Sequence, residues 1–80
     1  MRVKVRLYAG LADRVADRQA LLEDGIELPE TATVSDLFAS LDLTEREVQL
    51  IIVDGRIVHD RETRLRDGAR VALFPPVGGG

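Results

Sequence analysis

The chain opens MRVKVRLYAG, Met1 to Gly10, and the reading of this stretch decides the fold. Val3, Val5 and Leu7 alternate with Arg2, Lys4, Arg6 and Tyr8. A period of two puts the first set on one face of a strand and the second on the other, so the chain begins with a half-buried β-strand. Far along the sequence RVALF, Arg70 to Phe74, repeats the pattern, with Val71 and Leu73 on one face and Phe74 on the other. Neither strand has a hairpin partner beside it. Two alternating strands at opposite ends of a short chain can pair side by side and in parallel in the middle of a sheet, with a helix crossing over between them.

TVSDLFASL supplies that helix. Val34, Leu37, Phe38 and Leu41 fall at i, i+3, i+4 and i+7 behind Thr33 as N-cap, and Asp36 sits at the positive end of the helix dipole. Thr44 and Glu47 have capping-box spacing and predict one more turn. IELPE reads as a brief second strand that ends where Pro29 removes a ladder donor. QLIIVDGRIV reads as strand, turn and strand: Leu50 to Val53, a tight Asp54-Gly55 reversal, then Arg56 to Val58. LADRVADRQALLEDG places Leu11, Val15 and Leu22 at helical spacing with Gly25 as a stop, a short helix or turn.

The expected fold class is α+β, a β-grasp or ubiquitin-like mixed sheet with one main helix, Thr33 to Leu41, packed on one face. Val3, Val5, Leu7, Val34, Leu37, Phe38, Leu41, Ile52, Val71 and Leu73 should form most of the core, while the unbroken apolar run leaves Ile51 and Val53 unplaced. The expected division is a domain over residues 1–74 and a flexible tail over residues 75–80.

Eighty residues with 45% apolar content suffice for one small core and no second domain. With no cysteine, disulfides, thiolate metal sites and thiol nucleophiles are excluded. The net charge of −3, with both signs interspersed, argues against a nucleic-acid binder. No apolar run approaches the ~20 residues that span a bilayer, and no signal-peptide core opens the chain, so no membrane partner and a cytoplasmic location are expected. The only histidine, His59, reads as a solvated loop residue rather than a ligand. Asp54-Gly55 and Asp67-Gly68 are turn chemistry. Arg61, Arg64, Arg66 and Arg70, interleaved with acids, read as a solvated face rather than a surface for an acidic partner.

The tail LFPPVGGG, Leu73 to Gly80, joins stiffness to thinness. Pro75 and Pro76 fix φ near the polyproline value and extend the exit from the sheet. The glycines beyond have no side chains to obstruct a narrow tunnel. If the terminal strands are neighbours, Tyr8 and Phe74 share the outer face at the root of the arm, where grouped aromatics make an interface anchor.

DGARVALFPPVGGG resembles the end of the MoaD family, the small ubiquitin-like subunit of molybdopterin synthase, whose members finish with an aromatic, Pro-Pro-Val, one small residue and Gly-Gly. Phe74, Pro75, Pro76, Val77, Gly79 and Gly80 match that pattern, and Gly78 stands where serine or alanine is usual. VRLYAGLADRVAD, LPETATVSDLFASL and IIVDGRIV agree with the family's first strand and helix, its strand-to-helix segment and its central hairpin. The related thiamine sulfur carriers share Gly-Gly but generally lack Pro-Pro.

The resemblance implies a sulfur carrier. A MoeB-type enzyme would use ATP to adenylate the Gly80 carboxylate, with Gly79 leading it into the tunnel, and a sulfur donor would replace AMP to leave a thiocarboxylate. A MoaE-type large subunit would then receive the arm, with Phe74, Pro75, Pro76, Val77 and Tyr8 as the partner-binding residues. The domain itself would bind no cofactor or metal and supply no acid or base. The same activated tail would serve a ubiquitin-like modifier joined to lysines of target proteins, or a sulfur carrier for tRNA thiolation, for thiamine, or for a tungsten or molybdenum pathway variant.

Overall fold

The computed structural model describes residues 1–77, and Gly78, Gly79 and Gly80 lie outside that range. Among the described residues five strands form one sheet: β1 (Arg2–Leu7), β2 (Ile26–Glu27), β3 (Leu50–Val53), β4 (Arg56–Ile57) and β5 (Arg70–Phe74), in the order β2-β1-β5-β3-β4. The terminal strands β1 and β5 lie side by side and parallel, Lys4 opposite Arg70 and Leu7 opposite Leu73. The other pairings are antiparallel. This is the β-grasp arrangement expected from the alternation. Two helices, α1 (Arg18–Glu23) and α2 (Val34–Ser40), and two 3₁₀ turns (Ala9–Arg14 and Glu45–Glu47) complete it.

A helix of seven residues such as α2 is too short to persist alone, so its ends and its buried face must hold it. Thr33 Oγ1 accepts from the Asp36 N–H at 3.2 Å, and the Asp36 carboxylate accepts from the Thr33 N–H at 2.9 Å. The first two helical N–H groups, which have no partner inside a helix, are met from outside it. Val34 donates to the Thr63 carbonyl at 3.0 Å and Ser35 to the Arg61 carbonyl at 2.9 Å. A polar loop thereby caps the helix, anchored by the buried Leu65. Val34, Leu37 and Phe38 then enter one core with Val3, Val5, Val71 and Leu73.

The core differs from the expected list at β3. Ile51, not Ile52, is buried, and the register shows why: Ile51 lies opposite the buried Leu73, and Ile52 opposite Ala72 on the outer face. Directly paired residues share a face, so the neighbour settles a phase that LIIV alone leaves open. Leu7 is half-buried and packs against the core from its edge. Between Leu11 and Gly25 the chain is not one helix. A break at residues 15–17 lets Asp17 cap α1 by accepting from the Ala20 N–H at 3.0 Å, and the new phase buries Leu21 while leaving Leu22 partly exposed. Gly25 ends α1 at φ 82°, and a Cβ there would stand 2.6 Å from the Val3 carbonyl oxygen, so only glycine lets the chain turn against β1.

Asp54 and Gly55 both have positive φ, 50° and 83°, as a two-residue hairpin of matching twist requires. No helix among the described residues is long and apolar enough to cross a membrane.

Candidate functional site

The sheet's central pairing determines what stands at the tail's root. Leu73 points inward and is fully buried, so Phe74 must point outward. The same alternation in β1 buries Val5 and turns Tyr8 outward one step beyond the strand's end. Because β1 and β5 run parallel in register, both aromatics reach the same end of the outer face. Their rings stack with centroids 4.1 Å apart and planes 11° from parallel. Each covers one side of the other, so both are half-buried rather than fully exposed.

The ladder closes around them. Tyr8 N–H donates to the Leu73 carbonyl at 3.1 Å, and Gln49 N–H to the Phe74 carbonyl at 2.8 Å. The next two residues, Pro75 and Pro76, have no N–H to continue a ladder, so the chain leaves the sheet there. Val77 is 94% exposed.

Beside the stacked rings a groove of about 770 Å³ runs between the exiting tail and the β3–β4 hairpin. Tyr8, Phe74, Pro75, Pro76 and Val77 line one side; Leu50, Ile57, Val58 and His59 line the other. Leu50 is there because it pairs directly with Phe74. Ile57 and Val77 are the large hydrophobic residues left most open among those described, and both belong to this groove. An apolar cleft with exposed aliphatic rims at the root of an extended arm has the shape and chemistry of a docking surface.

Five of the expected site residues, Tyr8, Phe74, Pro75, Pro76 and Val77, are thus brought together. The other two, Gly79 and Gly80, lie outside the described residues, as does the flexibility expected of the tail's end. The groove's second wall went unnoticed in the sequence. A signal was present, since β4 carries Ile57 outside the core list on a strand with no outer neighbour. His59 is exposed on the groove's rim. Arg61 does not belong to a free basic face: it donates to the Val48 carbonyl at 3.2 Å, pairs with Glu45 at 3.6 Å, and lies 5.9 Å from the Phe38 ring centroid.

The model of the ThiS family matches residues 5–80. Among solved structures the chain is similar to a Pyrococcus furiosus protein assigned as subunit 1 of molybdopterin converting factor, with 32% identity, TM-score 0.69, and 96% of this chain and 99% of that one covered. It is similar also to a protein in the complex of subunits 1 and 2 of molybdopterin-converting factor from Helicobacter pylori, with 25% identity, TM-score 0.60 and both chains covered in full. Small archaeal modifier protein 1 of Haloferax volcanii shares the fold, at 20% identity and TM-score 0.68 over 95% of this chain and 98% of that one. No curated protein sequence matches significantly.

Proposed function

The chain belongs to the ThiS family, whose ubiquitin-like domains act as sulfur carriers or modifiers, and from that premise we propose that it is the sulfur-carrying small subunit of a molybdopterin synthase. The observation that carries this reading is the tail's root. Phe74 and Pro75-Pro76 leave the centre of the sheet beside a stacked tyrosine and an apolar groove, and the residues beyond complete Phe-Pro-Pro-Val-x-Gly-Gly.

In this reading the Gly80 carboxylate attacks the α-phosphate of ATP within a MoeB-type partner, and pyrophosphate leaves. A sulfur donor then displaces AMP from the acyl adenylate, forming a thiocarboxylate. The arm next enters a MoaE-type subunit, a partner of the kind seen in the Helicobacter pylori complex. Threading flexible glycines costs conformational entropy, and the prolines reduce that cost by extending the arm's base beforehand. The groove holds the domain against each partner in turn while the carboxylate is buried in the other protein.

The test is ATP–pyrophosphate exchange with the activating enzyme for three proteins: the intact chain, one lacking Gly79-Gly80, and one with a residue added after Gly80. Only the intact chain should exchange, because the added residue displaces the carboxylate by about 3.5 Å. Exchange by the truncated form would overturn the assignment. With a sulfur source present, the intact chain should gain the mass of one sulfur-for-oxygen replacement. Isopeptide remnants of the tail on cellular lysines, without that gain, would favour a protein modifier instead.

A further inference from the structure

Away from the tail, the middle of the sheet's outer face carries a cluster of cations, with Glu27 paired to Arg2 at its edge. Lys4 and Arg6 alternate with buried Val3 and Val5, and Arg70 stands directly opposite Lys4 in the β1–β5 register. Two hollows of about 340 and 190 Å³ open on this face and share Arg6, Tyr8 and Leu22. Lys4, Arg6, Arg70 and Arg18 line them, and no carboxylate does. Among the described residues none of these four cations forms an ion pair, whereas Arg2, Arg14 and Arg61 each do.

Composition does not account for such a face. The chain has 14 acidic residues against 11 lysines and arginines. Like charges directly opposite on paired strands destabilise a sheet, and the one carboxylate held beside Arg70, that of Asp54, accepts from the Arg70 backbone N–H at 2.9 Å and forms no ion pair with these three side chains. The side chains of Lys4, Arg6 and Arg70 are thus left without an ion-pair partner among the described residues and open to carboxylates from outside the domain. The hollows are not purely polar, since Leu22 from α1 and Ile52 and Ala72 from the sheet contribute apolar surface between the cations. Tyr8 joins this face to the tail's root.

We propose that this face is a second docking surface, for an acidic segment of a protein partner whose carboxylates meet Lys4, Arg6 and Arg70 while an apolar side chain enters the hollow over Leu22 and Ile52. Nucleic acid fits less well, because a chain of net charge −3 repels a long polyanion beyond a four-cation patch, and the apolar floor gives phosphates nothing. The inference stands on this face alone and holds whether or not the tail carries sulfur. Its consequence is division of labour: the groove grips at the arm, and the charged face sets the orientation and speed of encounter.

The experiment is an NMR titration of the isotope-labelled full chain at about 0.1 M salt, where the Debye length is about 10 Å. The probes are a capped peptide of glutamates around a central leucine, its glutamine analogue, and a single-stranded RNA of equal charge. The acidic peptide should shift the amides of Lys4, Arg6, Leu22 and Ala72, and the glutamine analogue should not. Lys4→Glu with Arg70→Glu should weaken binding at least about tenfold, while Arg64→Glu with Arg66→Glu, an equal charge change at exposed sites elsewhere, should leave it within about twofold. If the first pair unfolds the domain, Arg6→Gln alone should still weaken binding several-fold. No shifts, an equal response to the glutamine peptide, equal loss in the control pair, or tighter binding of the RNA would each overturn the proposal.

Discussion

The chain has two phenylalanines, and the fold treats them oppositely. Phe38, the third residue of the apolar stripe of α2, is 2% exposed and sits in the core. Phe74, at the end of β5, faces outward and stacks on Tyr8. One ring is sheltered by the whole domain, the other by a few neighbours on the outer face, Tyr8 and Leu50 among them. The difference teaches how so small a protein separates stability from recognition. The inner face of the sheet holds the fold together, and the outer face of the same strands is left open, which in the proposed function is what lets it meet other molecules. Because successive residues of a strand point to opposite faces, one five-residue segment, β5, serves both.

The sharpest test of this separation is a pair of alanine variants. Phe38→Ala should lose about 3–5 kcal/mol of stability in urea or thermal unfolding, close to the entire stability of a domain this size. Phe74→Ala should cost the isolated domain only about 0.5–1.5 kcal/mol, the worth of the aromatic stack, while weakening the complex with a larger synthase subunit by about 1–3 kcal/mol in calorimetry. A Phe74 variant that unfolds, or a Phe38 variant that stays folded but fails to bind, would break the comparison. Tyr8→Ala should behave like Phe74→Ala in both assays, because each ring exposes the other when it is removed.

A smaller effect tests how the inner face is held. Thr33→Ala removes the side-chain half of the capping box on α2 and should cost about 1 kcal/mol, or about 4–8 °C in melting temperature for a domain of this length. Partner binding should be unchanged, since α2 lies across the sheet from the groove. The loop carbonyls of Arg61 and Thr63 still receive the first helical N–H groups, so the helix should shorten rather than dissolve.

The smallest expected effect is pH-dependent. The Thr44 backbone N–H, which donates to Glu47 at 2.9 Å, holds the Glu47 carboxyl below its ordinary value of 4.5, with help from the Thr44 hydroxyl and Arg14. A depressed carboxyl favours the folded state while ionised. Its contribution is therefore complete above about pH 4.5 and disappears as pH falls through the lower folded value. Glu47→Gln should flatten that part of a stability–pH profile and leave binding at the outer face untouched. An unchanged profile would mean that the 3₁₀ turn at Glu45–Glu47 does not depend on this ionised cap.

Much of this was legible from local pattern alone. Alternation in MRVKVRL and RVALF assigns inner and outer residues without any knowledge of neighbours, and the stripe Val34, Leu37, Phe38, Leu41 behind Thr33 defines the covering helix with its cap. Where the pattern was uniform or broken, local reasoning missed the phase. LIIV is apolar at every position, so Ile52 was expected in the core that Ile51 occupies. In Leu11 to Gly25 one helical period was carried through a break that Asp17 restarts, and Leu22 was named where Leu21 is buried. Leu28, Leu43, Val48 and Leu65 stand in loops or short turns without periodicity, and each nevertheless enters the core.

By itself, then, the sequence determined the terminal strands, the main helix with its cap, the hairpin and the chemistry of the tail, since each is written in residues a few positions apart. Only the tertiary structure decided what those elements face. It brought Tyr8 to Phe74 across 66 positions of chain, added the hairpin's Leu50 and Ile57 as the groove's far wall, and gathered Lys4, Arg6 and Arg70 onto one face around a shared hollow. The physical reason is register. Which residues meet across paired strands depends on hydrogen bonds between segments distant in sequence, and a shift of one residue would send every side chain to the opposite face.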